Sequence, residues 1–147
     1  MSQQKNVLIA NRGEIAVRIA RAAKGLRINP ISIFSPADSD SLHTKLTATA
    51  VELSGKAKDP VSAYLDLDQI VSIAKENQCE LVHPGYGFLS ENAEFAKKCS
   101  EQGIEFVGPK HEVLKLFGDK VQARQLADSL SIPTIPGSKD ALDSIVA

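Results

Sequence analysis

Three polar side chains able to handle protons or hydrogen bonds fall in one short run, residues 81–92, Leu-Val-His-Pro-Gly-Tyr-Gly-Phe-Leu-Ser-Glu-Asn. They are the imidazole of His83, the phenol of Tyr86 and the carboxylate of Glu91. Leu81 and Val82 follow the polar run 75–80 and read as the end of a buried strand. Pro84 has no N–H for a sheet ladder, so the strand should stop there. Gly85 and Gly87 flank Tyr86 and allow backbone angles closed to other residues. Ser90 suits an N-cap, and Glu91 in a first helical turn suits the helix dipole. The pattern is therefore strand, glycine-hinged loop, helix. Open α/β sheets bind ligands in such loops, at the carboxyl ends of strands. The plainer alternative is a tight turn in which Tyr86 and Phe88 are core aromatics. For His83 we favour strand-end packing over chemistry, because an imidazole there can satisfy backbone groups.

Other candidates are thinner. Asn11-Arg12-Gly13-Glu14 follows an apolar run and opens a helix. A dinucleotide fingerprint needs three glycines at this place, and only Gly13 is present. Glu14 would set a carboxylate where a phosphate should sit. The segment reads as structural support. Arg18 and Arg21 lie three apart and share a helical face, which by itself is a solvated basic face. Lys120 stands at a helix start, where a cation opposes the dipole; a solvated lysine is the bland account. Cys79 and Cys99 have no paired-ligand spacing and suggest free thiols in a reducing compartment. His43, His83 and His111 are far apart, so no protein-held metal site is expected.

The elements that must carry these residues alternate. Strands are expected at 6–10, 31–34, 50–53, 81–83 and 104–107. Helices are expected at 14–24, 66–77, 91–102, 111–117 and 120–130. The short buried apolar runs and intervening amphipathic helices predict an α/β fold, a Rossmann-like doubly wound parallel sheet of four to five strands joined by right-handed crossovers. Asp66 should start the second long helix, and Asp119 with Gln122 forms a capping-box pattern. The stretch 35–43 should be loop or short helix. Residues 5–137 form one domain, and 138–147 read as the start of a linker toward a further domain.

The chain has 147 residues, 43% apolar and 24% charged, with a formal net charge of −1. That length buries a sizeable core. The charge balance does not point to nucleic acid or an anionic membrane surface. No apolar run approaches the ~20 residues of a membrane span.

His-Pro-Gly-Tyr-Gly-Phe-Leu-Ser-Glu-Asn, residues 83–92, resembles a signature of the N-terminal, pre-ATP-grasp domain of biotin carboxylase. Residues 10–16, Ala-Asn-Arg-Gly-Glu-Ile-Ala, and 118–124, Gly-Asp-Lys-Val-Gln-Ala-Arg, resemble the same family in the same order. That domain opens the acetyl-CoA, propionyl-CoA, pyruvate and urea carboxylases. The resemblance implies a ligase reaction in which ATP and bicarbonate give carboxyphosphate and carbon dioxide passes to biotin. It implies that Lys120 contacts ATP and that Tyr86, Gly85, Gly87 and Glu91 wall the biotin site. It places Arg18 and Arg21 at a carboxylase homodimer interface, although Gly25 stands where family members often carry an acidic residue. The implied partners are ATP-grasp and C-terminal carboxylase domains and a biotin carboxyl carrier. ATP and Mg2+ would be held largely by the further domain. After Lys120 there is neither a glycine-rich phosphate loop nor a paired acidic cluster for Mg2+, and the only methionine is Met1, so no biotin-accepting Met-Lys pair occurs. The isolated chain is therefore expected to be inactive. A non-catalytic assembly module that binds carboxylase subunits is the alternative. The start at Met1 suggests the cytoplasm, with the mitochondrial matrix as the other choice.

Overall fold

The computed structural model describes residues 4–54 and 59–135. The expected linker 138–147, the last two residues of the expected domain and part of the loop after the third strand lie outside that range. Five strands run in chain order: β1 (Asn6–Ile9), β2 (Asn29–Phe34), β3 (Thr49–Glu52), β4 (Leu81–His83) and β5 (Glu105–Phe106). They form one sheet in the order β3-β2-β1-β4-β5. Every pairing is parallel. The order reverses at β1, so the crevice between the carboxyl ends of β1 and β4 is the topological switch point.

Six α-helices connect and extend the sheet: α1 (Gly13–Gly25), α2 (Leu42–Lys45), α3 (Leu67–Glu76), α4 (Ala93–Glu101), α5 (His111–Gly118) and α6 (Lys120–Ser129). Short 3-10 turns occur at Pro36–Asp38 and Ser62–Leu65. Side-chain alternation along β1 divides the core. Leu8 packs with Ile31, Ile33 and Val82, against Ile70 and Ala74 of α3 and Phe95 and Cys99 of α4. Ile9 faces the opposite way, onto Ala16, Ile19 and Ala20 of α1. Helices on both sheet faces make the fold doubly wound.

Local chemistry sets the helix starts. Asp66 accepts from the Gln69 N–H at 3.0 Å to cap α3. Asp119 accepts from Val121 and Gln122 N–H at 2.9 and 3.0 Å to cap α6. The Gln122 amide returns to the Asp119 carboxylate at 3.1 Å, not to its backbone as a full capping box would.

One expected boundary is corrected. Ser90 does not cap α4, and Glu91 is not in its first turn. Asn92 is the cap, accepting from Phe95 N–H at 2.8 Å, and Glu94 is the acidic residue of the first turn. Ser90 donates its N–H to Gly87 O at 2.9 Å and so belongs to the preceding loop. Glu91 is exposed between the two. Ser and Asn are both good caps. The later one wins because residues 87–90 are spent on a turn.

Candidate functional site

β1 and β4 lie side by side and end together, with Ile9 opposite His83. Their carboxyl-end loops therefore meet. The β4 loop carries Tyr86, and the β1 loop carries Asn11. Asn11 is 2% exposed. Its amide nitrogen donates to Pro84 O at 2.7 Å and to Tyr86 O at 2.9 Å. Its amide oxygen accepts the Arg12 N–H at 2.9 Å. These three contacts fix which way the amide points.

The β4 loop is tightly wound. Gly85, Gly87 and Phe88 have φ of +70°, +69° and +46°. The left-handed region is ordinary for glycine but costs a residue such as Phe88. A Cβ on Gly85 would lie 2.6 Å from Ile15 Cγ2 and 2.8 Å from Asn11 Nδ2, so α1 and the β1 loop press directly on this backbone. His83 closes the base, with Nδ1 accepting the Gly85 N–H at 3.0 Å. That bond leaves the neutral ring protonated at Nε2, and burial pushes the His83 pKa down, which keeps it neutral. Beyond the loop, Leu89 is buried and Phe88 packs on Tyr64, with ring centroids 5.5 Å apart.

All this fastening leaves Tyr86 outside. It is 80% exposed, in a loop whose neighbours are held. The account of Tyr86 as a core aromatic fails; Phe88 alone turns inward. A phenol standing on a strained, well-anchored loop offers a flat apolar face and one O–H donor to whatever lies across the crevice. Strain of this kind persists only where the surroundings over-determine it, and it gathers at functional sites.

A second cluster sits at the same end of the sheet. Asp38 is 5% exposed. Arg12 donates to it through both Nε, at 2.6 Å, and Nη2, and Tyr64 OH donates at 2.8 Å. Ser35 N–H donates to the Tyr64 hydroxyl oxygen at 3.0 Å. The Arg12 hydrogen bonds hold the Asp38 carboxyl at about 2 against the opposing effect of burial, and Asp38 in turn raises the Arg12 pKa. Sequence reasoning missed Asp38 and Tyr64, because their partners lie 26 residues away. The only local cue was Ser35-Pro-Ala-Asp38 after a strand.

The remaining candidates are dispersed. Lys120 is exposed at the first position of α6. It makes no hydrogen bond or ion pair within the described residues. Arg18 and Arg21 are both exposed on α1. Arg18 borders an open cavity of about 410 Å3 between α1 and the β4–β5 edge, lined by apolar groups of Ile19, Leu26, Leu81 and Val107. Cys79 and Cys99 are buried and unpaired, and burial pushes both thiols up to about 12. Among the described residues no three His, Cys, Asp or Glu side chains converge as metal ligands. No described helix is long and apolar enough to cross a membrane.

Residues 3–114 match the family described as biotin carboxylase, N-terminal domain. The chain belongs to that family. Pyruvate carboxylase of Bacillus subtilis is 50% identical over 149 residues, which cover all of this chain and 13% of that protein. The biotin carboxylase domain of a single-chain bacterial carboxylase superposes with a TM-score of 0.89 at 48% identity, covering 95% of this chain and 32% of that one. The biotin carboxylase domain dimer of Hydrogenobacter thermophilus 2-oxoglutarate carboxylase, in complex with MgADP, ADP and bicarbonate, superposes with a TM-score of 0.91 at 40% identity. That match covers 99% of this chain and 31% of the other. As a biotin carboxylase N-terminal domain, the chain thus spans between about an eighth and a third of these relatives.

Proposed function

We propose that this domain supplies one wall of the biotin site in an ATP- and bicarbonate-dependent biotin carboxylase, with Tyr86 as its principal contact. The observation that carries this is Tyr86 itself, 80% exposed at the switch point on a loop fastened by Asn11, His83 and Phe88. A flat ring with a single donor suits a small ureido bicycle, which presents an apolar body and a carbonyl acceptor. Gly85 and Gly87 let the backbone turn closely around it, and Glu91 stands exposed beside the loop. Lys120 is the contact for ATP, since a mobile ammonium suits phosphate oxygens. The described residues offer no cluster of three metal-binding side chains. ATP and Mg2+ are therefore held largely by domains outside this chain, and the chain alone does not carboxylate biotin.

The experiment places residues 1–147 in a complete carboxylase, in the position of the matching segment of the Bacillus subtilis relative. Tyr86→Ala should raise the KM for free biotin about tenfold, near 1.4 kcal/mol, with little change for MgATP. Lys120→Ala should do the reverse. A Tyr86→Ala enzyme with unaltered biotin KM would refute the assignment.

A second reading, an assembly surface that docks on carboxylase subunits, is favoured by the exposed Arg18 beside the apolar cavity at Leu26, with Arg21 exposed on the same helix. The two readings use different faces of the domain and are compatible.

A further inference from the structure

We infer that Asn11 is a positioning residue for the acceptor site: it sets the conformation of the Tyr86 loop and thereby the affinity for biotin, without touching biotin itself. The inference rests on the assignment of Tyr86 to the biotin wall. Three observations carry it. First, both hydrogens of the Asn11 amide are spent on the β4 loop, on Pro84 O and Tyr86 O, the two carbonyls that flank Gly85. Second, Asn11 is buried and so is its bond to Pro84 O, so water does not readily replace the donor lost there; its bond to Tyr86 O is part-buried. Third, the loop it grips is wound through left-handed angles at Gly85, Gly87 and Phe88, a shape with no secondary-structure ladder of its own to hold it.

The amide is matched to this place. Asn11 Oδ1 takes the Arg12 N–H, so donor and acceptor ends are both used. Aspartate keeps the size and the acceptor but aims a second oxygen at two carbonyl oxygens. Asn11→Asp therefore separates the donor function from the space the residue fills. Gly85→Ala attacks the same contact from the other side, because the new Cβ would meet Asn11 Nδ2 and Ile15 Cγ2.

The test has two arms. In the complete carboxylase described above, Asn11→Asp and Gly85→Ala should each raise the KM for biotin at least fivefold while the KM for MgATP moves less than twofold. A parallel loss in both, or in neither, overturns the inference. Tyr86→Ala in the same enzyme distinguishes the causes. If it raises the biotin KM and the Asn11 variant does not, Asn11 has no positioning role. If it does not, the biotin-wall assignment is what failed. The second arm needs only the 147-residue chain. Amide exchange at Gly85 and Ser90, both hydrogen-bonded within the loop, should accelerate tenfold or more in Asn11→Asp, with the amides of α3 and α4 within twofold of the parent. Uniform acceleration across the chain would mean general destabilisation, and unchanged exchange would mean no grip; either result overturns the inference.

Discussion

Asp38 keeps its charge in the core because Arg12, Tyr64 and Ser35 converge on it. Its carboxyl ionises at about 2 in the folded protein, against an ordinary value of 3.8. Between those two values the unfolded chain binds more protons than the folded one, so stability falls as pH drops through the window. Above it the stabilisation is fully present. The buried His43 and the partly buried His83 act in the same sense at milder acidity, since desolvation lowers both pKa values and the folded form resists their protonation. Melting temperature measured from pH 5 to pH 2 should therefore decline. Asp38→Asn should flatten the lower part of that decline and cost about 1–3 kcal/mol at neutral pH, because Arg12 keeps its charge and loses its partner. The Arg12 side chain is 42% exposed, which places the cost below that of a fully buried pair. None of this was legible from the sequence. Arg12, Asp38 and Tyr64 are common residues at unremarkable positions, and only the sheet brings them together. At Tyr86 the sequence left two readings open, a loop contact and a core aromatic, and only its exposure in the structure removes the second.

At the scale of elements, the strands and most helices could be read directly. β1 and β2 are short apolar runs, and Leu67, Ile70, Val71 and Ala74 repeat at helical spacing. Asp66 and Asp119 were readable as caps because a cap is a contact between near neighbours. The start of α4 was misread because Ser90 and Asn92 compete within three residues, and the choice depends on a turn that Leu89 anchors in the core. The cap can be checked. Asn92→Ala should lower stability by about 1 kcal/mol, and Ser90→Ala by much less, in urea denaturation of the two variants. Equal losses would return the cap to Ser90.

At the scale of the molecule, α1 covers only part of its sheet face. The β4–β5 edge on that side is left with Leu81 and Val107 beside an exposed Leu26 and the cavity that Arg18 borders. The proposed assembly surface, the arginine face, makes a testable prediction if the complete carboxylase is a dimer, as the Hydrogenobacter domain is. Arg18→Glu with Arg21→Glu should shift the complete enzyme toward monomer in analytical ultracentrifugation, leaving the melting temperature within about 2 °C because both side chains are exposed. An unchanged dimer would return both arginines to a solvated face. The doubly wound order of the sheet was legible in outline from alternation alone, whereas this bare edge was not, since a strand's second face shows only once its neighbours are placed.

Neither α5 nor α6 contributes a buried residue; α5 packs on α4, and α6 packs on α5. Lys120 therefore rides on a segment outside the hydrophobic core, while Tyr86 is fastened to the centre of it. The two proposed contacts, one for the phosphate donor and one for the carboxyl acceptor, thus stand on different footings: a loop tied into the core and an outer helix reached from the sheet through α4 and α5.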